Sequence, residues 1–220
     1  KSSLMKHSRD RSKVGSPTAY DKANVNYCFD HLPSKSAEED GDTLTMVADY
    51  PTYDTLDDAV AAADVVVRGT WITSADDVLE PDVSNMDGDA ASNPQFGATP
   101  TEQGIEDLQV PVTTSTVEVN DVLKGSIQPG QSIQVRQLGG KLDGVTYRES
   151  STTLLADSSS SIVLLLLSRQ DDGTYEMIST ADGGWAVEGD QLSGLNGEAT
   201  SSPFSRTSLS GLSKLVKSIR

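Results

Sequence analysis

Ile162-Val163-Leu164-Leu165-Leu166-Leu167 is the longest apolar run in this 220-residue chain. A strand with one wet face alternates apolar and polar residues, and this one does not, so both of its faces need cover. Six residues are also far short of the roughly 20 that a membrane-spanning helix requires. The run therefore reads as a central strand. It is closed by the turn Asp171-Asp172-Gly173, after which Thr174–Ser179 returns as its hairpin partner. Trp185–Val187, behind Gly183-Gly184, reads as a last short strand.

Upstream, Val112–Val119 is β-branched at nearly every position and puts Thr113, Ser115, Val117 and Val119 on one side. Ser132–Leu138, after the Pro129-Gly130 turn, is a further strand with Ile133 and Val135 on one face, ending at Gly139-Gly140. Val65–Ile72 is another. It is fed by a short helix announced by Thr55-Leu56-Asp57-Asp58, whose spacing supplies a hydroxyl and acids to a helix start. Leu56, Ala59, Val60 and Ala63 recur on one helical face. About six strands and one helix thus precede the tail. In that tail, Leu209, Leu212, Leu215, Val216 and Ile219 share one face of an amphipathic helix over 207–220, which docks on the sheet or lies on an anionic membrane. Docking is the simpler of the two.

Two stretches lack this periodicity. Residues 1–43 are polar, open with Lys1, Lys6, Arg9, Arg11 and Lys13, and read as a flexible tether such as lies outside a membrane anchor. Residues 74–107 carry nine acids and no base and read as an acidic loop insert in a single domain over 44–220.

The order Asp64-Val65-Val66-Val67-Arg68-Gly69, then Val122-Leu123-Lys124-Gly125, then Ile133-Gln134-Val135-Arg136-Gln137-Leu138-Gly139-Gly140, then the 162–167 strand, resembles an uncharacterised family of bacterial secreted proteins and lipoproteins. The aromatic residues of that family's last strand are missing here. The resemblance spans roughly residues 55–190. It implies a small OB-like β-barrel, similar also to the barrel of tissue metalloprotease inhibitors, and an extracytoplasmic location at the bacterial surface or in the medium. No site residue carries over, because the inhibitors' terminal cysteine pair has no counterpart.

Charge narrows the partners. The net charge is −16, and Glu38–Glu198 holds 30 acids against six bases, which argues against a nucleic-acid backbone as partner. Cys28 stands alone, so no intramolecular disulfide or two-cysteine zinc motif is possible. Both histidines, His7 and His31, fall in the tether, away from any nucleophile of the core. Ser3-Leu4-Met5-Lys6 has Ser-x-x-Lys spacing but none of the companion motifs of that enzyme class. Asp57/Asp58, Asp76/Asp77 and Asp171/Asp172 are neighbours in sequence, as at helix starts and turns, rather than an acid/base dyad.

One cluster suits a cation. In Asp82-Val83-Ser84-Asn85-Met86-Asp87-Gly88-Asp89, the oxygen donors Asp82, Asn85, Asp87 and Asp89 could meet calcium. Aligning Gly88 with the glycine of an EF-hand loop, however, puts Val83 at the first ligand position and Pro94 at the last, so a solvated acidic loop reads better. Trp71 and Trp185 could stack on a sugar or fill a core. The expectation is a non-catalytic envelope domain that binds a protein, with a carbohydrate or cell-wall binder as the alternative and a carboxylate-only hydrolase behind both. It has no cofactor, and any membrane attachment runs through a removed N-terminal anchor.

Overall fold

The computed structural model describes residues 42–80, 109–180, 183–196 and 207–219. The fold is mainly β. The elements are β1 (Thr43–Met46), α1 (Leu56–Ala62), β2 (Val65–Leu79), β3 (Val110–Lys124), β4 (Ser132–Leu142), β5 (Val145–Glu149), β6 (Ile162–Arg169), β7 (Tyr175–Met177), β8 (Gly184–Glu188), β9 (Gln191–Gly194) and α2 (Leu209–Ile219). Among the described residues there are therefore nine strands rather than the expected six or so. No helix among the described residues is long and apolar enough to cross a membrane.

β6 is central, as its composition requires. It pairs antiparallel with β2 on one side and with β7 and β8 on the other. Its side chains alternate between two apolar clusters. Val163, Leu165 and Leu167 enter an inner cluster with Val67, Val117, Val119, Ile133, Val135 and Tyr175. Leu164 and Leu166 enter an outer one with Val60, Val66, Trp185, Leu212 and Val216. Hydrogen-bonded neighbours run β4, β3, β2, β6, β7 and back to β4, with only the β7–β4 pairing parallel. All five of these strands contribute to the inner cluster.

The two helices cover the outer cluster. Thr55 caps α1 by accepting from the Asp58 amide at 3.1 Å, so the expected cap forms. At the other end, Lys124 Nζ donates to the Val60 and Ala61 carbonyls at 2.7 and 3.0 Å, meeting acceptors that the helix leaves open. α2 begins with the Gly211 amide donating to Ser208 Oγ at 3.1 Å. Asp190, in the β8–β9 turn, accepts from the Ser210 amide at 2.7 Å and from its hydroxyl at 2.9 Å. Those bonds, the backbone one first, hold the Asp190 carboxyl below its ordinary pKa. Leu212 and Val216 are buried and Leu209 and Leu215 pack beside them, so the amphipathic tail is docked on the domain.

Four expectations about segments need correction. β1 pairs in parallel with β5 through Thr43–Met46, so the proposed tether over 1–43 gives way to strand at its last residue. The acidic insert does not start at Ser74, because Ser74–Leu79 continue β2 and pair with Val110–Ser115. The remainder of the proposed insert from Pro81, and the tether up to residue 41, lie outside the described residues. Gly139-Gly140 does not end β4. There the strand leaves β3 for β5, which occupies what reads in sequence as a polar crossing. Both glycines have positive φ, 103° and 147°, and a Cβ on Gly140 would sit 2.9 Å from the Val112 carbonyl oxygen, so the switch of partner needs glycine. Lastly, Trp185–Val187 is not the last strand: β9 follows β8 as its hairpin partner.

Candidate functional site

The residues singled out in sequence do not converge. Asp82, Asn85, Asp87 and Asp89 lie outside the described residues, as do His7, His31 and Cys28. Among the described residues, no three His, Cys, Asp or Glu side chains are grouped to hold a metal ion. The tryptophans separate as well. Trp185 is 2% exposed, packed in the outer cluster. Trp71 packs against the inner one and donates its indole N–H to Ser74 Oγ at 2.8 Å, which in turn meets Ser115 Oγ at 2.6 Å. Two rings in two different clusters make no stacking platform. In Trp71→Phe, the remaining emission from Trp185 is expected to be blue-shifted and resistant to iodide quenching; ready quenching would put that ring at the surface.

Three polar clusters are internal fastenings. On β4, Arg136 reaches Glu176 of β7 through Nε at 2.9 Å and Nη2 at 2.8 Å, and Asp172 of the β6–β7 turn through Nη1 at 2.9 Å. Burial works against the guanidinium's charge, but its bonds and attraction to Glu176 and Asp172 outweigh it and raise the pKa. Asp172 is lowered, first by the Thr174 hydroxyl and also by the Thr174 amide and by Arg136. The buried Glu149 carboxylate accepts from the Ser151 amide and from the hydroxyls of Ser150, Ser151 and Thr152 at 2.8–3.3 Å. Gln137 accepts from the Leu155 amide at 2.8 Å and donates to the Thr153 carbonyl at 2.9 Å, pinning the segment between β5 and β6. Each group is occupied by the chain itself.

Two surface features remain. The first is the far half of β2. Among the described residues, its pairing with β6 stops at Thr70, and Thr73–Leu79 pairs on the β3 side alone. The register shifts between Trp71 and Thr73, leaving Ile72 unpaired at the bulge and 51% exposed. Asp76, Asp77 and Glu80 lie along this arm, and none of residues 73–80 is basic. Asp76 also ties it down, accepting from the Lys141 amide at 3.0 Å.

The second is a groove of about 350 Å³ between the β2–β3 pair and α2, lined by Arg68, Asp121, Val122, Leu123, Leu209, Ser213 and Lys217. Arg68 and Asp121 are cross-strand partners and form an ion pair through Nη2. Arg68, Val122, Leu123 and Leu209 are legible in the sequence as parts of strands and of the tail helix, but not as neighbours in one groove. The available signal was an arginine directly after Val65-Val66-Val67, where a buried strand should continue apolar.

Among the described residues, fold and surface together define a β-rich domain whose buried polar groups hold strands to one another and whose surface includes a strand edge and a small groove. No protein-family model and no curated protein matches this chain.

Proposed function

We propose that this is a non-catalytic interaction domain of the bacterial cell envelope, built on an OB-like barrel, that takes up an extended basic segment of a partner protein along the outer edge of β2. The observation that carries it is the one-sided pairing of Thr73–Leu79 beside the exposed Ile72. A strand edge offers a row of backbone donors and acceptors, and adding a strand satisfies them. Acids along an edge repel a second copy of the same edge and favour a cationic guest. The barrel reading is supported by the closed order of pairings with its single parallel pair and by the shared inner cluster. Export and envelope location rest on the family resemblance and on the acidic surface. A sugar-binding role loses its main support with Trp185 buried.

A synthetic peptide of alternating Lys and Val tests this by amide hydrogen exchange on the 220-residue chain. Its binding should slow exchange within residues 72–79, and Asp77→Lys should weaken it several-fold, as reversal of a cross-strand charge pair does. Unchanged exchange there at millimolar peptide, or equal binding of an alternating Glu/Val peptide, would remove the proposal.

A further inference from the structure

We infer that the groove between β2–β3 and α2 binds a small organic carboxylate with an apolar body. Against β6 the register is regular, pairing Val66 with Leu166 and Arg68 with Leu164. Val66, Leu164 and Leu166 all belong to the outer apolar cluster, so Arg68 stands at the rim of that layer, where aliphatic side chains give out. Its guanidinium is only partly used. Nη2 pairs with Asp121, whereas Nε is buried and meets no acceptor among the described residues. A charged donor taken out of water without an acceptor is costly, and an oxygen supplied from the groove would relieve it.

The opposite wall repeats the signal. Lys217 of α2 lines the same groove and has no acidic partner among the described residues. Two cations thus face one carboxylate, Asp121, in a chain whose net charge is −16. Val122, Leu123 and Leu209 supply apolar wall. The volume of about 350 Å³ is at the small end of ligand pockets. One excess positive charge matches a monoanion, and the side edge of a guanidinium matches the planar two-oxygen head of a carboxylate better than a point charge would. A phosphate head, carrying more charge than the groove balances, fits less well.

Hexanoate, hexanol and hexyl phosphate, titrated into the 220-residue chain by calorimetry and followed by amide chemical shifts, distinguish the head groups. Hexanoate should bind with a Kd of about 1 mM, as a ligand of so few heavy atoms can. Hexanol and hexyl phosphate should each bind at least about tenfold more weakly, roughly the loss of one charge-assisted contact. Shifts should concentrate at residues 121–123 and 209–217.

Arg68→Lys keeps the charge but removes Nε and should cost about tenfold, and Lys217→Ala, on an accessible helix face, should cost several-fold. Lys217→Ala leaves the Arg68–Asp121 pair intact, so a folding defect in the Arg68 variant would not obscure the result. Hexanoate binding no tighter than hexanol, an Arg68→Lys or Lys217→Ala variant equal to the parent, a preference for hexyl phosphate, or shifts centred elsewhere would each overturn the assignment and leave water as the partner of Nε.

Discussion

Leu165→Ala and Leu166→Ala should each lower stability by about 2–5 kcal/mol, although the two side chains point in opposite directions. On a strand with one wet face, one of two adjacent substitutions would be nearly silent. Here both are fully buried, Leu165 in the inner cluster and Leu166 in the outer one beneath α1 and α2. The measurement is urea unfolding of the two variants beside Ile162→Ala, whose side chain is 39% exposed and should cost much less. A silent Leu166→Ala would mean that the helices do not cover the sheet, and the docked position of α2 would fall with it.

Arg136→Met should cost about 2 kcal/mol. Breaking a fully buried ion pair costs more, about 3–5 kcal/mol, but Asp172 is half exposed and solvent screens its share. The Arg136 side chain is 13% exposed, and it fastens the β4–β7 seam, which has only two registered backbone pairs, Val135 with Tyr175 and Arg136 with Glu176. Losing it leaves Glu176 without its cation at that seam. Asp172, held by Thr174 first and by Arg136 after it, also gives a pH signature. Asp172 titrates below its ordinary value in the folded chain, so its stabilisation is fully present above about pH 4 and is lost as pH falls through the folded value. Asp172→Asn should flatten the acid limb of the stability profile. Some slope should survive, because Asp190 is lowered in the same direction by its bonds to Ser210. An acid limb identical in Asp172→Asn and parent would show that Thr174 and Arg136 do not hold the Asp172 carboxylate.

The groove explains why an acidic chain could still favour one anion. Long-range repulsion from the acids is screened over roughly a Debye length, about 8 Å at physiological salt, whereas Arg68 and Lys217 act at contact. Cations on both walls of a small groove focus positive potential there, against the repulsion of the acids elsewhere.

Local chemistry made several elements legible. An unbroken apolar run such as 162–167 can be satisfied only between two covered faces, and Thr55 with Asp58 can cap a helix whatever lies around it. The tail's apolar stripe likewise demanded a dry surface, and Leu212 and Val216 found one. Val145–Glu149 and Ser74–Leu79 could not be read in this way, since their side chains are mixed and their strand state comes from hydrogen bonds to β4 and β3. Mixed polar segments become strands when a neighbouring backbone is there to pair with, and that neighbour is remote in the chain. The same holds for the sites. Arg68 and Lys217 are separated by most of the domain in sequence, yet they share a groove because α2 packs beside β3 on the same apolar cluster that β2 enters through Val66. Periodicity and capping are nearest-neighbour physics and travel with the residues; edges, grooves and ion clasps exist only once distant strands have chosen their partners.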